Sequence, residues 1–219
     1  MYTIGIDFGT LSGRAVLVDT RNGDEVASST FDYPHAVIDN HLPTSGKTLP
    51  PEWALQDPLD YLEVLHQTVP AVIKKSGVSP DKIAGLAIDF TACTMMPVDE
   101  DGSALRSSPE WASHPHAWVK LWKHHAAQPH ADRINQVAEE RGEAWLKRYG
   151  GKISSEWFFA KALQILEEAP DVYKATDKFI EASDWVIWQL TGVEARSVCT
   201  AGYKAMVQDG DYPSKDYFA

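Results

Sequence analysis

Ile4-Gly-Ile-Asp-Phe-Gly-Thr-Leu-Ser-Gly-Arg-Ala-Val-Leu-Val-Asp19 is the stretch on which the reading of this chain turns. Two apolar runs, Ile4–Ile6 and Ala15–Val18, flank a loop holding Asp7, Gly9, Thr10, Leu11, Ser12, Gly13 and Arg14. Short apolar runs bounded by Gly, Ser and Thr predict two strands joined by a turn. Two glycines in that turn let the backbone approach a ligand closely, because no side chain intervenes. Successive N–H groups, with the Thr10 and Ser12 hydroxyls, then suit phosphate oxygens, and Arg14 adds a charge-assisted partner. Asp7 ends the first strand, where a carboxylate can hold Mg²⁺ through water. An ordinary hairpin with a polar turn accounts for the same residues.

Outward from the hairpin, Glu25–Tyr33 alternates as a third antiparallel strand would. Pro34–Pro51, rich in Pro, His, Asn and Thr, reads as a long loop, and loops of that length are commonly functional. Asp57-Pro58 predicts a helix start, Asp57 as N-cap and Pro58 at the first helical position, with Leu59, Leu62, Leu65 and Val69 on the inner face and an end near Ser76-Gly77. Ile83–Asp89 is nearly continuous in apolar residues, the pattern of a strand buried on both faces. Met95–Val98 resumes the apolar run after Thr91–Thr94. Ala117–Arg141 has helical periodicity, with Trp118, Leu121 and Trp122 on one face. Ser154 opens a further helix carrying Phe158, Leu163 and Leu166, and Ala182-Ser-Asp-Trp a short one that stops at Gly192. Tyr217-Phe-Ala219 shows no clear terminal element.

At 219 residues the chain is long enough for one sizeable core, as one large domain or a domain with a lobe. Twenty basic against 31 acidic side chains give a net charge of −11, which disfavours broad binding to nucleic acid or to an anionic membrane. No apolar run approaches the roughly 18 residues that span a bilayer. The start on a strand, with no basic and apolar leader, argues against a secretory signal. Cys93 and Cys199 have no metal or redox spacing, so two free thiols in a reducing cytoplasm are expected.

The hairpin's Asp-Phe-Gly-Thr-x-Ser-x-Arg-Ala-Val-Leu-Val-Asp resembles the first phosphate-binding hairpin of the FGGY carbohydrate kinases, a branch of the actin-like, ribonuclease H-like ATPases. Ile83-Ala-Gly-Leu-Ala-Ile-Asp-Phe-Thr-Ala-Cys-Thr-Met-Met-Pro-Val-Asp99 resembles that family's substrate-lining strand and turn. Tyr149-Gly-Gly-Lys-Ile-Ser-Ser-Glu-Trp-Phe-Phe-Ala-Lys161 and Glu181-Ala-Ser-Asp-Trp-Val-Ile-Trp-Gln-Leu-Thr-Gly192 resemble two of its later helices. Asp-Phe-Thr-Ala-Cys-Thr and Cys199-Thr-Ala-Gly-Tyr-Lys-Ala205 look most like the branch that acts on L-ribulose. The resemblance implies an α/β fold with a mixed sheet flanked by helices. It also implies that residues 1–219 are an N-terminal domain with a substrate-lining helical portion at about 110–180. The C-terminal nucleotide domain and the catalytic aspartate are then expected beyond Ala219.

Carried over residue by residue, the resemblance places Gly9, Thr10, Leu11, Ser12 and Arg14 on the nucleotide phosphates and Asp7 in the Mg²⁺ neighbourhood. Many family members have a second Thr or Ser where Leu11 stands, so one hydroxyl contact is missing. Thr91, Ala92, Cys93, Glu156 and Lys204 are the implied sugar contacts. Small residues in the turn leave room for an open-chain ketopentose. A plain turn, a solvated lysine and a core role for Trp157 are the competing readings. His124-His125 points two ways on a helix, which disfavours a metal site, and Trp111, Trp118 and Trp122 either pack or wall the pocket. The expected partners are MgATP and L-ribulose, in a cytoplasmic enzyme of arabinose catabolism, with a second copy of the chain in a homodimer as a further candidate partner. A kinase for another pentulose and a non-catalytic actin-like module remain as alternatives.

Overall fold

β1 (Tyr2–Phe8), β2 (Ser12–Asp19) and β3 (Glu25–Asp32) form an antiparallel meander. Period-two alternation puts Ile4, Ile6 and Phe8 of β1, with Ala15 and Leu17 of β2, on one buried face. β4 is only Leu55–Gln56. It leads into α1 (Pro58–Ser76), where the Asp57 carboxylate accepts the Leu59 N–H at 3.0 Å and Gly77, at φ +66°, donates to the Ile73 carbonyl. β5 (Ile83–Phe90) lies parallel to β1, so the first sheet has the order β3-β2-β1-β5. All 219 residues are described by this computed structural model, and they divide into two compact units. Met1–Val37 with Gln56–Thr91 make the first, Ile38–Leu55 with Ala92–Ala219 the second.

Two expectations about burial fail in the first unit. The inner face of α1 carries Tyr61, Val64, Thr68 and Val72, whereas Leu59 is 42% exposed and Leu62, Leu65 and Val69 are only partly covered. The leucines chosen for periodicity lie to one side of the stripe that meets the sheet. β5 is not buried on both faces: Ala84 to Ala87 are exposed, because it is the sheet's edge strand. Gly13 serves packing, since a Cβ there would lie 2.5 Å from both Val64 methyls. Phe8 stacks on Phe90 at 4.8 Å, and Tyr61 meets both edge-on.

In the second unit, β6 (Met95–Val98) is buried throughout and pairs antiparallel with β7 (Val119–Lys120). α2 (Gln128–Arg141), α3 (Phe158–Glu168) and α4 (Pro170–Ala175) follow. Then come β8 (Lys178–Glu181), antiparallel to β6, and α5 (Ala182–Thr191), α6 (Val198–Lys204) and α7 (Lys215–Phe218). The second sheet runs β4-β7-β6-β8. Ile38, Leu42, Leu55, Trp118, Ile165 and Val172 form one core cluster. Trp145, Ile153, Trp157, Ala160 and Met206 belong to another.

The predicted helix over 117–141 begins only at Gln128. Before it, Lys120 pairs with Met95 across the sheet and Leu121 N–H donates to the Ala54 carbonyl at 3.0 Å, so long-range pairing overrides local periodicity. α3 likewise starts at Phe158, its inner face being Phe158, Lys161, Ala162, Gln164 and Ile165 rather than Leu163 and Leu166. α5 ends at Gly192, at φ +70°, as its sequence predicts. Both cysteines are free thiols, Cys93 buried and Cys199 exposed. No helix is long and apolar enough to cross a membrane.

Candidate functional site

The first unit presents the hairpin turn. Gly9 N–H donates to the Ser12 carbonyl at 2.9 Å, and a Cβ at Gly9 would stand 3.2 Å from that oxygen, so glycine keeps the turn tight. Three flanking carbonyls are tied down. Gly9 O accepts from the Tyr33 hydroxyl at 3.1 Å, Thr10 O from Gln56 Nε2 at 2.8 Å, and Leu11 O from Tyr33 N–H at 2.9 Å. Gln56 is itself held by the buried Tyr61 hydroxyl at 2.6 Å. The turn is therefore rigid before any ligand arrives, which lowers the entropy lost on binding.

Arg14 sits on β2 across from Asp7, its guanidinium paired with Glu25 at 3.2 Å, both side chains about half exposed. Such a pair contributes at most about 1 kcal/mol, so its release toward an anion costs little. Asp7 also stands beside Asp89 on the parallel neighbour β5, and both are exposed. Adjacent like charges on neighbouring strands disfavour one another, and a divalent cation would relieve that repulsion. The donor set is all oxygen, as Mg²⁺ requires. Leu11 is 58% exposed and offers no polar group beyond its backbone.

The second unit gathers the other predicted residues. Lys204 Nζ donates to Glu156 Oε2 at 2.6 Å, and Glu156 Oε1 lies 3.6 Å from His125 Nε2. Burial works against the Lys204 ammonium, but the Glu156 hydrogen bond and charge outweigh it and raise its pKa. Burial also works against the Glu156 carboxylate, and there Lys204 prevails and lowers it. Cys93 is 1% exposed and its thiol is pushed up to about 12, chiefly by burial, with Glu181, Lys204, Lys161 and Glu156 all acting on it. A thiol of that kind stays protonated and is no nucleophile. Ala92 is half-buried beside it. Thr91 is the last residue of the first unit, its N–H donating to the Phe8 carbonyl at 3.3 Å.

Trp157 is a packing residue, edge-on to Tyr149 at 4.4 Å. Trp118 is fully buried beneath Arg106, 4.4 Å from its ring, and walls no pocket. Lys120 and His124 also leave the surface. Lys120 Nζ lies 4.2 Å from the Trp53 ring centre, and His124 accepts the Ala54 N–H at Nδ1 while Nε2 meets Gln164 Oε1 at 2.9 Å. That pattern fits a neutral imidazole, and burial lowers its pKa well below the ordinary value. Sequence reasoning missed Lys161 and Glu181 altogether. A signal existed: Lys161 interrupts Phe-Phe-Ala-Lys-Ala-Leu on the buried side of an amphipathic helix, where a charge needs a partner.

Residues 2–214 match the FGGY family of carbohydrate kinases, N-terminal domain, and the chain belongs to that family. Among named relatives, it is 60% identical over 219 residues to a ribulokinase of Geobacillus thermodenitrificans, 99% of this chain and 38% of that protein. It is 57% identical over 218 residues to a ribulokinase of Halalkalibacterium halodurans, 99% of this chain and 39% of that protein. Among solved structures, ligand-bound xylulose kinase from Lactobacillus acidophilus superposes with a TM-score of 0.73 at 20% identity, over 99% of this chain and 39% of that one. That likeness establishes the sugar-kinase fold. The chain spans about two fifths of the length of the relatives it matches.

Proposed function

We propose that residues 1–219 are the phosphate- and sugar-binding portion of an enzyme that phosphorylates L-ribulose at its 5-hydroxyl with MgATP. The observation that carries this reading is 57–60% identity to two ribulokinases across essentially the whole chain. The rigid Gly9–Ser12 turn supports it in one unit, and the Glu156–Lys204 pair beside Cys93 supports it in the other. Gly9, Thr10, Leu11, Ser12 and Arg14 hold the ATP phosphates. Thr91, Ala92, Cys93, Glu156 and Lys204 hold the sugar, Lys204 and Glu156 offering a donor and an acceptor for hydroxyls. Asp7, with Asp89 beside it, would form the neighbourhood of Mg²⁺, which would supply neutralisation of the phosphate charge.

In the transfer, the bond from the γ-phosphorus to the β–γ bridging oxygen breaks and a bond to the sugar's 5-oxygen forms. ADP leaves, and the hydroxyl proton passes to a base. We assign no such base to residues 1–219. The chain's own contribution is alignment and charge neutralisation, which in phosphoryl transfer is most of the catalysis. A reaction that draws on ATP belongs in the cytoplasm.

A substrate panel on the full-length protein tests the reading. L-ribulose should give the highest kcat/KM among L-ribulose, D-xylulose, gluconate and glycerol. A higher value for another pentulose would move the enzyme to a different branch of the family, and no ATP-dependent transfer to any of the four would leave a binding module. Residues 1–219 alone should show no turnover above the buffer control.

A further inference from the structure

Cys93 has φ +68°, the left-handed region that a residue with a Cβ enters only under constraint. The constraint comes from two buried charged side chains. Lys161, on the inner face of α3 and fully buried, donates from Nζ to the Cys93 carbonyl at 2.5 Å and to the Leu121 carbonyl at 2.8 Å. Glu181, the last residue of β8 and 4% exposed, has the Cys93 and Thr94 N–H groups directed at its carboxylate. One side chain thus grips the carbonyl of the strained residue and the other its N–H. Ala182 N–H donates to the Thr94 carbonyl at 2.7 Å and closes the turn from the same side.

We propose that Lys161 and Glu181 are positioning residues which together hold the Ala92–Thr94 backbone in the one conformation that receives the sugar. The proposal rests on the reading that this turn lines the sugar site; neither side chain need touch the sugar itself. An apolar residue would fill the space of Lys161 without the cost of burying an ammonium. What only a cation supplies there is a simultaneous hold on two carbonyls from segments 28 residues apart, Cys93 and Leu121. Burial lowers the Lys161 pKa and raises that of Glu181, each charge opposing the other's shift. Lys204 and Glu156 add their charges to the surroundings of Lys161.

The test uses the full-length enzyme and its best substrate from the sugar panel. Lys161→Met should raise KM for that sugar tenfold or more while KM for MgATP stays within twofold. Hydrogen exchange over the peptide spanning residues 92–97 should be at least tenfold faster. Glu181→Gln, which keeps an oxygen acceptor for the two N–H groups, should hold sugar KM within about threefold of wild type, and Glu181→Met should not. Cys93→Gly placed in the Lys161→Met enzyme should recover part of the sugar affinity, because glycine holds a positive φ without a clamp. Unchanged exchange over 92–97 in a folded Lys161→Met enzyme would overturn the clamp. So would sugar and ATP KM rising together, or a Glu181→Gln enzyme as impaired as Glu181→Met. If Lys161→Met does not fold, the Glu181 pair and the exchange measurement decide the matter alone. If wild type phosphorylates no sugar of the panel, the functional reading fails, while the exchange result still judges the clamp.

Discussion

The two units bury polar groups in opposite ways. In the first, most partners are close in sequence. Arg21 binds Asp19 two residues back, Asp57 caps at Leu59, Thr68 bonds the carbonyl of Val64, and Tyr61 reaches Gln56. His35 reaches Asp60 across 25 residues, and Gln56 on the Thr10 carbonyl, 46 residues away, is the longest-range contact of a buried side chain there. In the second unit the buried Lys161 bonds Cys93, 68 residues off, and His124 bonds Ala54 and Gln164, 70 and 40 residues away. Trp185 donates to Gly102 across 83. A polar group satisfied locally keeps its partner when distant packing loosens. One satisfied at long range loses it at once, and a buried group left unpaired costs roughly 1–3 kcal/mol. The second unit should therefore unfold more cooperatively and depend more on pH. Every tryptophan lies in it, so tryptophan fluorescence follows that unit alone.

The largest effect is expected from Trp118→Ala. Removing a fully buried indole that also bonds the Ala112 carbonyl should destabilise the second unit by about 3–5 kcal/mol. Urea unfolding followed by fluorescence reads this directly; a loss under about 1 kcal/mol would mean that the cluster around Trp118 collapses to fill the space.

Function should divide along the same line. Arg14→Ala in the full-length enzyme should lower kcat/KM for ATP by about 2–4 kcal/mol of transition-state stabilisation, with sugar affinity little changed. Lys204→Ala should do the reverse, raising sugar KM and sparing intrinsic ATP hydrolysis. Equal damage to both parameters by either variant would break the division between the two units.

Gly13→Val should destabilise the first unit by about 1–3 kcal/mol through overpacking against Val64. Far-UV circular dichroism should register the loss, and the tryptophan signal should lag behind it. Coincident transitions would show that the units unfold as one.

The mildest effect per residue is electrostatic. Burial, reinforced by the Lys120 charge, lowers the His116 pKa to about 2, and burial lowers that of His124 well below its ordinary value. Both are neutral when folded and take up a proton near pH 6.5 once unfolded. Below that pH the unfolded chain binds more protons, so stability falls as pH falls, by about 1.4 kcal/mol per pH unit for each histidine. Fluorescence-monitored stability that stayed flat from pH 7 to pH 5 would contradict this assignment.

Where the determinants are local, the sequence alone was enough. The hairpin, β3, both ends of α1 and the stop of α5 at Gly192 are written in alternation, caps and glycine, which act within a few residues and need no distant partner. The tight Gly9–Ser12 turn was legible for the same reason, and the motif order along the chain indicated the family. Only the tertiary structure decided what long-range contact controls. β5 is apolar enough for a buried strand yet sits at the sheet's edge, a matter of neighbours rather than of composition. Residues 117–122 have helical periodicity but are drawn into extended pairing by β6 and Ala54. Gly13 belongs to the packing of Val64, although its place in the turn suggested a ligand. Lys161 and Glu181 looked like ordinary charges because a sequence does not show which carbonyl or N–H a buried side chain will meet. Local propensities are worth tenths of a kcal/mol per residue, whereas burying an unpaired charge costs several, so at such positions the folded surroundings prevail.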